Sequence, residues 1–491
     1  MSENLTMRLL WAVLVGGAFG WVAAYGNAQM KKSGTQLGSR PRYGSMAYGI
    51  ILPIAVLAYA VIEFIVFRGN LELAVQATVS FCFGIFLHIS LYFLLLMLAL
   101  PFLRKRISAL ACALLWMIPN YLYFISNMEL SSPLFVFRVP GRLIWVLAVV
   151  WLAGFAGVFL FKVVSHLRFR AWLLKGVRDP LPRTMDVWYE ELNRANIVNP
   201  KFCLGIAPNV KTPLTVGLIP CATWVLLPDR PYSEEELRLI LRHEIVHICR
   251  GDVWSKFFLV FCAAMCWFNP LMWIAARKSA DDLELSCDET VLAGEDSGSR
   301  KRYAELILKT AGDERGFTTC LSATATALRY RLKNIVNPAK KRSGAVTVAA
   351  MFVLLFMSCG YAAFAYDAGT GASLIYREED PSRFSISSVH MQTGSEEYEK
   401  KRFRDEAALE AFHQYMASAE LEHLTGNYNF DDSSRKMTVI YETPWDQELQ
   451  AVTVYDHAVK IVPYWAYHET FYYYLPEGTD WAYLDTLLAK Q

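Results

Sequence analysis

"LRLILRHEIVHICRGD", residues 237–252, sets two histidines four apart with a glutamate directly after the first. Just upstream, Ser233 followed by Glu236 makes a capping box, so a helix is expected to begin there. Leu237, Ile240, Leu241 and Ile248 supply its apolar face, and Gly251 can end it. Helical positions four apart stack on one face. His243 and His247 can therefore reach one ion, at the ~2.0–2.1 Å that zinc keeps from an imidazole nitrogen. Glu244 rides beside them, where a carboxylate can act as the general base of a hydrolysis. With nine histidines in 491 residues, this arrangement is improbable by chance.

A hydrolytic zinc needs a third protein ligand. His88 and His166 lie within or at the edge of apolar runs, and the remaining histidines sit in the last quarter of the chain. A carboxylate is therefore required. Asn269–Pro270 is a strong helix start, an N-cap residue followed by proline. The helix it opens carries Asp281, Asp282, Glu284, Asp288 and Glu289. Glu284 and Asp288 share a face at four-residue spacing, so one can bind the ion while the other steadies a ligand histidine. Spacing alone leaves Glu284, Asp281 and Asp288 open as the ligand.

The chain around this pair is apolar. Hydrophobic residues make up 54% and charged residues 19%, against about a quarter charged in a soluble domain. A bilayer takes about 20 mostly apolar residues to cross. Six stretches qualify, roughly Leu9–Tyr25, Met46–Phe67, Leu73–Leu100, Ile107–Met128, Leu143–Val164 and Ala345–Tyr366. Lys and Arg concentrate in alternate connections, in "KKSGTQLGSRPR", in "RKR" at Arg104–Arg106 and in "HLRFRAWLLKGVR". Positive charge marks the cytoplasmic side. That puts the N-terminus outside, the histidine pair in the cytoplasm and the tail outside. A formal net charge of +2, with no basic patch interleaved with aromatics, gives no sign of direct nucleic-acid binding. The ten cysteines all fall between Cys82 and Cys359 with no CxxC pair, so a cysteine zinc site is not expected.

"FFLVFCAAMCWFNPLMWIAA", between the two site helices, has the composition of another span. Spanning would carry Glu284 across the bilayer from the histidines, so it is expected to pack beneath the site or dip into the interface. In the tail, "AALEAFHQYMASAELEHL" reads as helix, while "RKMTVIYET" and "QAVTVYDHAVKIVPYW" alternate as strands do. The expected fold is an α-helical membrane bundle of about five helices over residues 1–166, an inserted cytoplasmic α+β zinc-peptidase domain over 167–342, a span over 343–366 and a small α+β ectodomain over 367–491.

Three stretches in order resemble the BlaR/MecR-type membrane metallopeptidases, the transducers of bacterial beta-lactam sensing. They are "TPLTVGLIPCATWVLLP", "EELRLILRHEIVHICRGD" and "CWFNPLMWIAARKSADDLELSCDETVL". The resemblance implies a gluzincin-like peptidase fold holding Zn2+. It places the third ligand on Glu284, through the family's ExxCD motif, with Asp288 as its supporting acid. It makes Asp252 a structural residue at the helix end and Trp224–Leu227 the strand whose free edge pairs with an extended substrate. The implied function is a zinc endopeptidase of the bacterial plasma membrane that answers an external ligand by cutting a cytoplasmic transcriptional repressor or its own chain, with a homodimer left open. A constitutive quality-control peptidase and a non-catalytic receptor or scaffold are the alternatives. Glu244 argues against the latter, because a receptor that had abandoned hydrolysis would be free to lose it. The tail is too short for a penicillin-binding sensor domain, and its "SSRK" at Ser433–Lys436 precedes a strand-like run, so beta-lactam recognition is not carried over.

Overall fold

The computed structural model describes residues 3–33, 48–66, 71–125, 130–131, 135–217, 222–311, 325–339, 341–358, 362–393, 399–424, 428–429, 435–442, 444, 449–463 and 471–490. Ser433 and Cys221 lie outside these. Helices and strands are mixed along the chain.

Among the described residues two helices are long and apolar enough to cross a bilayer, Leu71–Arg106 and Leu143–Leu174, the latter part of a helix that begins at Gly141. Leu9–Tyr25, Val56–Ile65 and Ala345–Met357 are shorter apolar stretches of helix. The expected span Ile107–Met128 is not one helix. It is broken into Ala109–Leu115, a 3-10 turn at Ile118–Tyr121 and the single turn Leu122–Ile125, and 126–128 fall outside the described residues. Pro119, which lacks an N–H, opens the 3-10 turn and accounts for the break. The first helix, Glu3–Ser33, packs along Ala345–Ser358. A side chain on Gly20 would meet the Ala345 carbonyl at 2.8 Å, so glycine is what lets the two backbones approach.

The apolar run after the histidine helix does not run straight on. Asp252–Met265 forms one helix, the chain turns at Cys266–Asn269, and Pro270–Val291 returns, capped by the Asn269 side chain on the Leu271 N–H. Phe258, Phe261, Cys262, Met265 and Met272 are buried in the same core as Ile89, Phe93, Leu96, Trp116 and Phe352. The hairpin therefore plunges into the helical bundle instead of crossing it. Trp151 donates to the Met265 carbonyl, Asn269 donates to Ser90, and Trp267 lies against Gly154. A methyl group at Gly154 would stand 2.2 Å from the Trp267 ring. Gly154→Ala is expected to cost about 1–3 kcal/mol by overpacking, read as a lower unfolding midpoint of the detergent-solubilised protein. Gly157→Ala, where nothing lies within 4 Å, should not lower the midpoint, since alanine is the better helix former.

The middle segment builds a second core from Trp188, Leu204, Val225, Leu241, Ile245, Val246, Cys287 and Tyr303. The histidine helix, Glu234–Arg250, is anchored on its far side by Arg242, which donates to both Glu191 oxygens and to Glu295. A three-stranded sheet flanks it in the order Cys203–Ala207, Trp224–Pro228, Leu214–Val216. Trp224–Pro228 is thus the central strand, paired on both sides, which corrects the expected free edge at Trp224–Leu227. Leu214–Val216 and Cys203–Ala207 are the outer strands instead, because Trp224–Pro228 inserts between them.

The last part of the chain carries a ten-stranded sheet. Arg435–Glu442, Leu449–Val454 and Ala458–Pro463 form its antiparallel centre, as their alternation predicts. The segment expected as one helix from Ala407 to Leu424 divides. Helix covers Glu406–Ser418, and Glu420–Leu424 is a strand, because its backbone pairs with both Ala362–Thr370 and Phe471–Tyr474. Phe135–Val139, from between the fourth and fifth apolar stretches, adds the outermost strand in parallel with Ala362–Tyr366.

Candidate metal centre

The capping box forms as expected: the Ser233 hydroxyl accepts from the Glu236 N–H, and the Glu236 carboxylate accepts from the Ser233 N–H. Gly251 ends the helix at φ +67°, a left-handed conformation that glycine adopts without a side-chain clash. Between these ends His243 and His247 turn toward the helix Pro270–Val291. Their Nε2 atoms are 3.1 Å apart, and Glu284 reaches each with a carboxylate oxygen at 3.5 Å. Asp281, nearly one turn earlier on the same helix, has no such contact among the described residues.

These separations bear on what fits between them. Three ligands held at ~2.0–2.1 Å around a tetrahedral ion stand ~3.3–3.4 Å from one another. Two imidazole nitrogens and a carboxylate 3.1–3.5 Å apart match that triangle. Their lone pairs repel unless a cation or a proton lies among them.

The remaining ring nitrogens are held from behind. His247 Nδ1 lies 2.6 Å from Asp252, a carboxylate that can only accept, so this nitrogen keeps its proton and Nε2 is the one left to bind. Asp252, expected to be structural, is thereby the direct support of a ligand histidine. His243 Nδ1 lies 2.8 Å from the Tyr303 hydroxyl, which donates to Asp288 at 2.7 Å. Asp288 itself stands 3.7 Å from that nitrogen, so its hold on His243 passes mainly through Tyr303. Both Asp288 oxygens also accept from Arg331, which in turn lies 3.4 Å from Glu284.

The electrostatics favour a cation. Burial would discharge His243, but the sulfur of Cys287 and the Glu284 carboxylate outweigh it and raise its pKa to about 10. Burial likewise opposes charge on Glu284, yet His247, His243 and Arg331 hold it well below the usual carboxylate range. The negative field that keeps a proton on these imidazoles would equally draw a divalent ion, so metal and proton compete for the same nitrogens.

Glu244 is buried, and its Oε2 accepts from the Thr215 hydroxyl at 2.7 Å. Thr215 belongs to the outer strand Leu214–Val216, so the general-base candidate is fixed to the sheet edge beside the two histidines.

Cys287 lies in the same cluster, its sulfur within 4.8 Å of a nitrogen from each histidine. Its nearest ring nitrogen is His243 Nδ1 at 3.3 Å, not one of the converging Nε2 atoms, and it also lies 3.5 Å from the His243 carbonyl. The two Glu284 oxygens, by contrast, face the nitrogens that converge, which makes Glu284 the candidate third ligand. Cys287→Ser is therefore expected to keep full zinc content by elemental analysis; loss of the metal would make the thiolate a ligand.

Thr215, Cys287, Tyr303 and Arg331 were not singled out from sequence. Thr215 and Cys287 sit inside the resembling stretches. Tyr303 and Arg331 lie on the helices Ser297–Ala311 and Ala325–Val336, and nothing in their local sequence marks them.

Residues 137–335, which contain all of these groups, match the family described as BlaR1 peptidase M56. Over this region the chain is similar to the BlaR/MecR type. It is 27% identical over 184 residues to the regulatory protein BlaR1 of Bacillus licheniformis, covering 37% of this chain and 30% of that protein. It is 28% identical over 110 residues to the methicillin resistance mecR1 protein of Staphylococcus aureus, covering 22% of this chain and 18% of that one. The matches thus span less than a third of these BlaR/MecR relatives.

Proposed function

We propose that the chain is a membrane-embedded zinc endopeptidase that cuts a cytoplasmic regulator, or itself, in response to a signal received by its C-terminal domain. The observation that carries the reading is the convergence of His243, His247 and Glu284, with Glu244 fixed beside them by Thr215. Bound zinc would supply a polarised water and a Lewis acid for the peptide carbonyl.

The side chains divide the rest of the work. Glu244 takes the proton from the attacking water and passes it to the leaving amine. Thr215 orients Glu244 through one oxygen, leaving the other free. Asp252, and Tyr303 with Asp288, fix the two imidazoles so that each presents Nε2. Leu214–Val216, whose outer side has no strand partner among the described residues, offers backbone groups to an extended substrate segment next to Glu244.

A lipid setting accounts for the helix Gly141–Leu174. Leu143, Val146, Leu147, Val149, Val150, Leu152, Leu160 and Phe161 are all exposed along it, a surface that water would not tolerate on a monomer. The basic "RKR" at Arg104–Arg106 lies at the peptidase end of Leu71–Arg106, in keeping with a cytoplasmic peptidase and an external sheet. The test is a comparison of cytoplasmic cleavage products in cells carrying the wild-type chain or Glu244→Ala. Products present only with the wild type support the reading, and identical product sets reject it.

A further inference from the structure

The carboxylate helix Pro270–Val291 has a second face, and that face is fixed to the bundle by charge. Asp282 is fully buried, and its two oxygens accept from Arg104 Nε at 2.7 Å and from the Trp116 indole N–H at 2.8 Å. About two turns further on and on the same face, Glu289 accepts from the Ala109 N–H and from Lys341. The chain around these donors is itself stitched together: Ser108 N–H donates to the Arg342 carbonyl and Arg342 N–H to the Arg106 carbonyl. Arg104 also lies over the Tyr330 ring, next to the Arg331 that pairs with Asp288 and Glu284.

Asp282 and Glu284 are two residues apart, hence ~200° apart around the helix. Asp282 therefore faces the bundle when Glu284 faces the histidines. At the ~5–6 Å radius of a side-chain-bearing helix, a rotation of ~20° would carry the Glu284 carboxylate ~2 Å. That would break the triangle with His243 and His247.

Arg104 lies in the last turn of a 36-residue helix, Leu71–Arg106, which continues through Pro101 just before it. At ~1.5 Å per residue this is a rod of ~54 Å. Its other end touches the ten-stranded sheet: Tyr366 Oη lies 2.8 Å from Ser80 Oγ, His423 Nδ1 lies 3.3 Å from Gln76 Oε1, and Phe364 packs edge-on against Phe83. Tyr366 and His423 are paired neighbours on adjacent strands of that sheet.

We propose that Asp282, gripped by Arg104 and Trp116, is a positioning residue for Glu284, and that the helix Leu71–Arg106 ties this position to the C-terminal sheet. The proposal rests on the metal-site reading for its consequence, but not for its geometry. A displacement of the sheet shifts Gln76 and Ser80, the rod carries the shift to Arg104, and Asp282 transmits it to the helix that holds Glu284.

The experiment uses the purified full-length protein in detergent, with two readouts. One is cobalt binding with its visible spectrum, which reports ligand geometry; the other is amide hydrogen exchange over residues 270–291, which needs no metal. Arg104→Gln and Trp116→Phe are expected to weaken cobalt binding about tenfold, as groups behind metal ligands do, to alter the spectrum and to speed exchange. Arg104→Lys should recover part of each effect. Tyr366→Phe should change cobalt affinity about threefold in the wild-type background and have no further effect in Arg104→Gln. Unchanged exchange in Arg104→Gln and Trp116→Phe overturns the joint, and so does a Tyr366→Phe effect that persists without Arg104. Absence of cobalt binding in the wild type would instead defeat the metal-site reading, leaving exchange to decide the joint.

Discussion

Glu244→Ala is expected to leave zinc in place and to slow peptide hydrolysis by roughly 10²–10⁴-fold, the share of a general base. The separation of binding from chemistry follows from where the side chain is held. Glu244 is hydrogen-bonded to Thr215 on the outer strand, whereas the converging nitrogens and oxygens belong to His243, His247 and Glu284. Truncation therefore removes the proton acceptor and leaves the ligand triangle intact. Zinc content by elemental analysis and cleavage of the cellular target are measured on the same preparation. A purified Glu244→Ala protein that still processes its target would reject the assignment of the base.

The second expected effect is on the metal itself. His247→Ala loses both zinc and activity, because it deletes one corner of the triangle and leaves Asp252 buried without its imidazole partner. Glu284→Ala weakens zinc binding far more than Asp281→Ala does. Asp281 and Glu284 are three residues apart on one helix, but only Glu284 has oxygens 3.5 Å from both Nε2 atoms. Competition titrations with a chromogenic chelator give the two dissociation constants. Equal values for Glu284→Ala and Asp281→Ala would remove Glu284 from the ligand set.

Local chemistry explains how much of this centre was visible beforehand. A capping box, a four-residue histidine spacing and an Asn–Pro helix start each act within one or two turns of backbone, so the two site helices and their inward residues could be read from the string. The third ligand was narrowed to Glu284, Asp281 or Asp288 by the same means, and the likeness to the BlaR/MecR type pointed to the first. The hairpin Asp252–Val291 was also foreseeable, because a proline and an asparagine interrupt an apolar run too short to cross. By contrast, the sheet order was misjudged at Trp224–Leu227: alternation marks a strand but says nothing of which neighbours it takes. Glu420–Leu424 was misjudged for a related reason, since partners from Ala362–Thr370 and Phe471–Tyr474 override a sequence that reads as helix.

What the sequence by itself determined is the apolar stretches, the two helices that carry His243, His247 and Glu284, and the place of Glu244 between the histidines, all set by spacing and capping over a few residues. Tertiary structure decided the rest. It brought Glu284 and not Asp281 to the histidine nitrogens, made Asp252 the support of His247, brought Tyr303 and Arg331 behind His243 and Glu284, and joined Arg104 to Asp282. Each of these contacts except Asp252 with His247 joins residues far apart in the chain. Such pairings depend on how whole helices pack, which no short-range pattern of residues encodes.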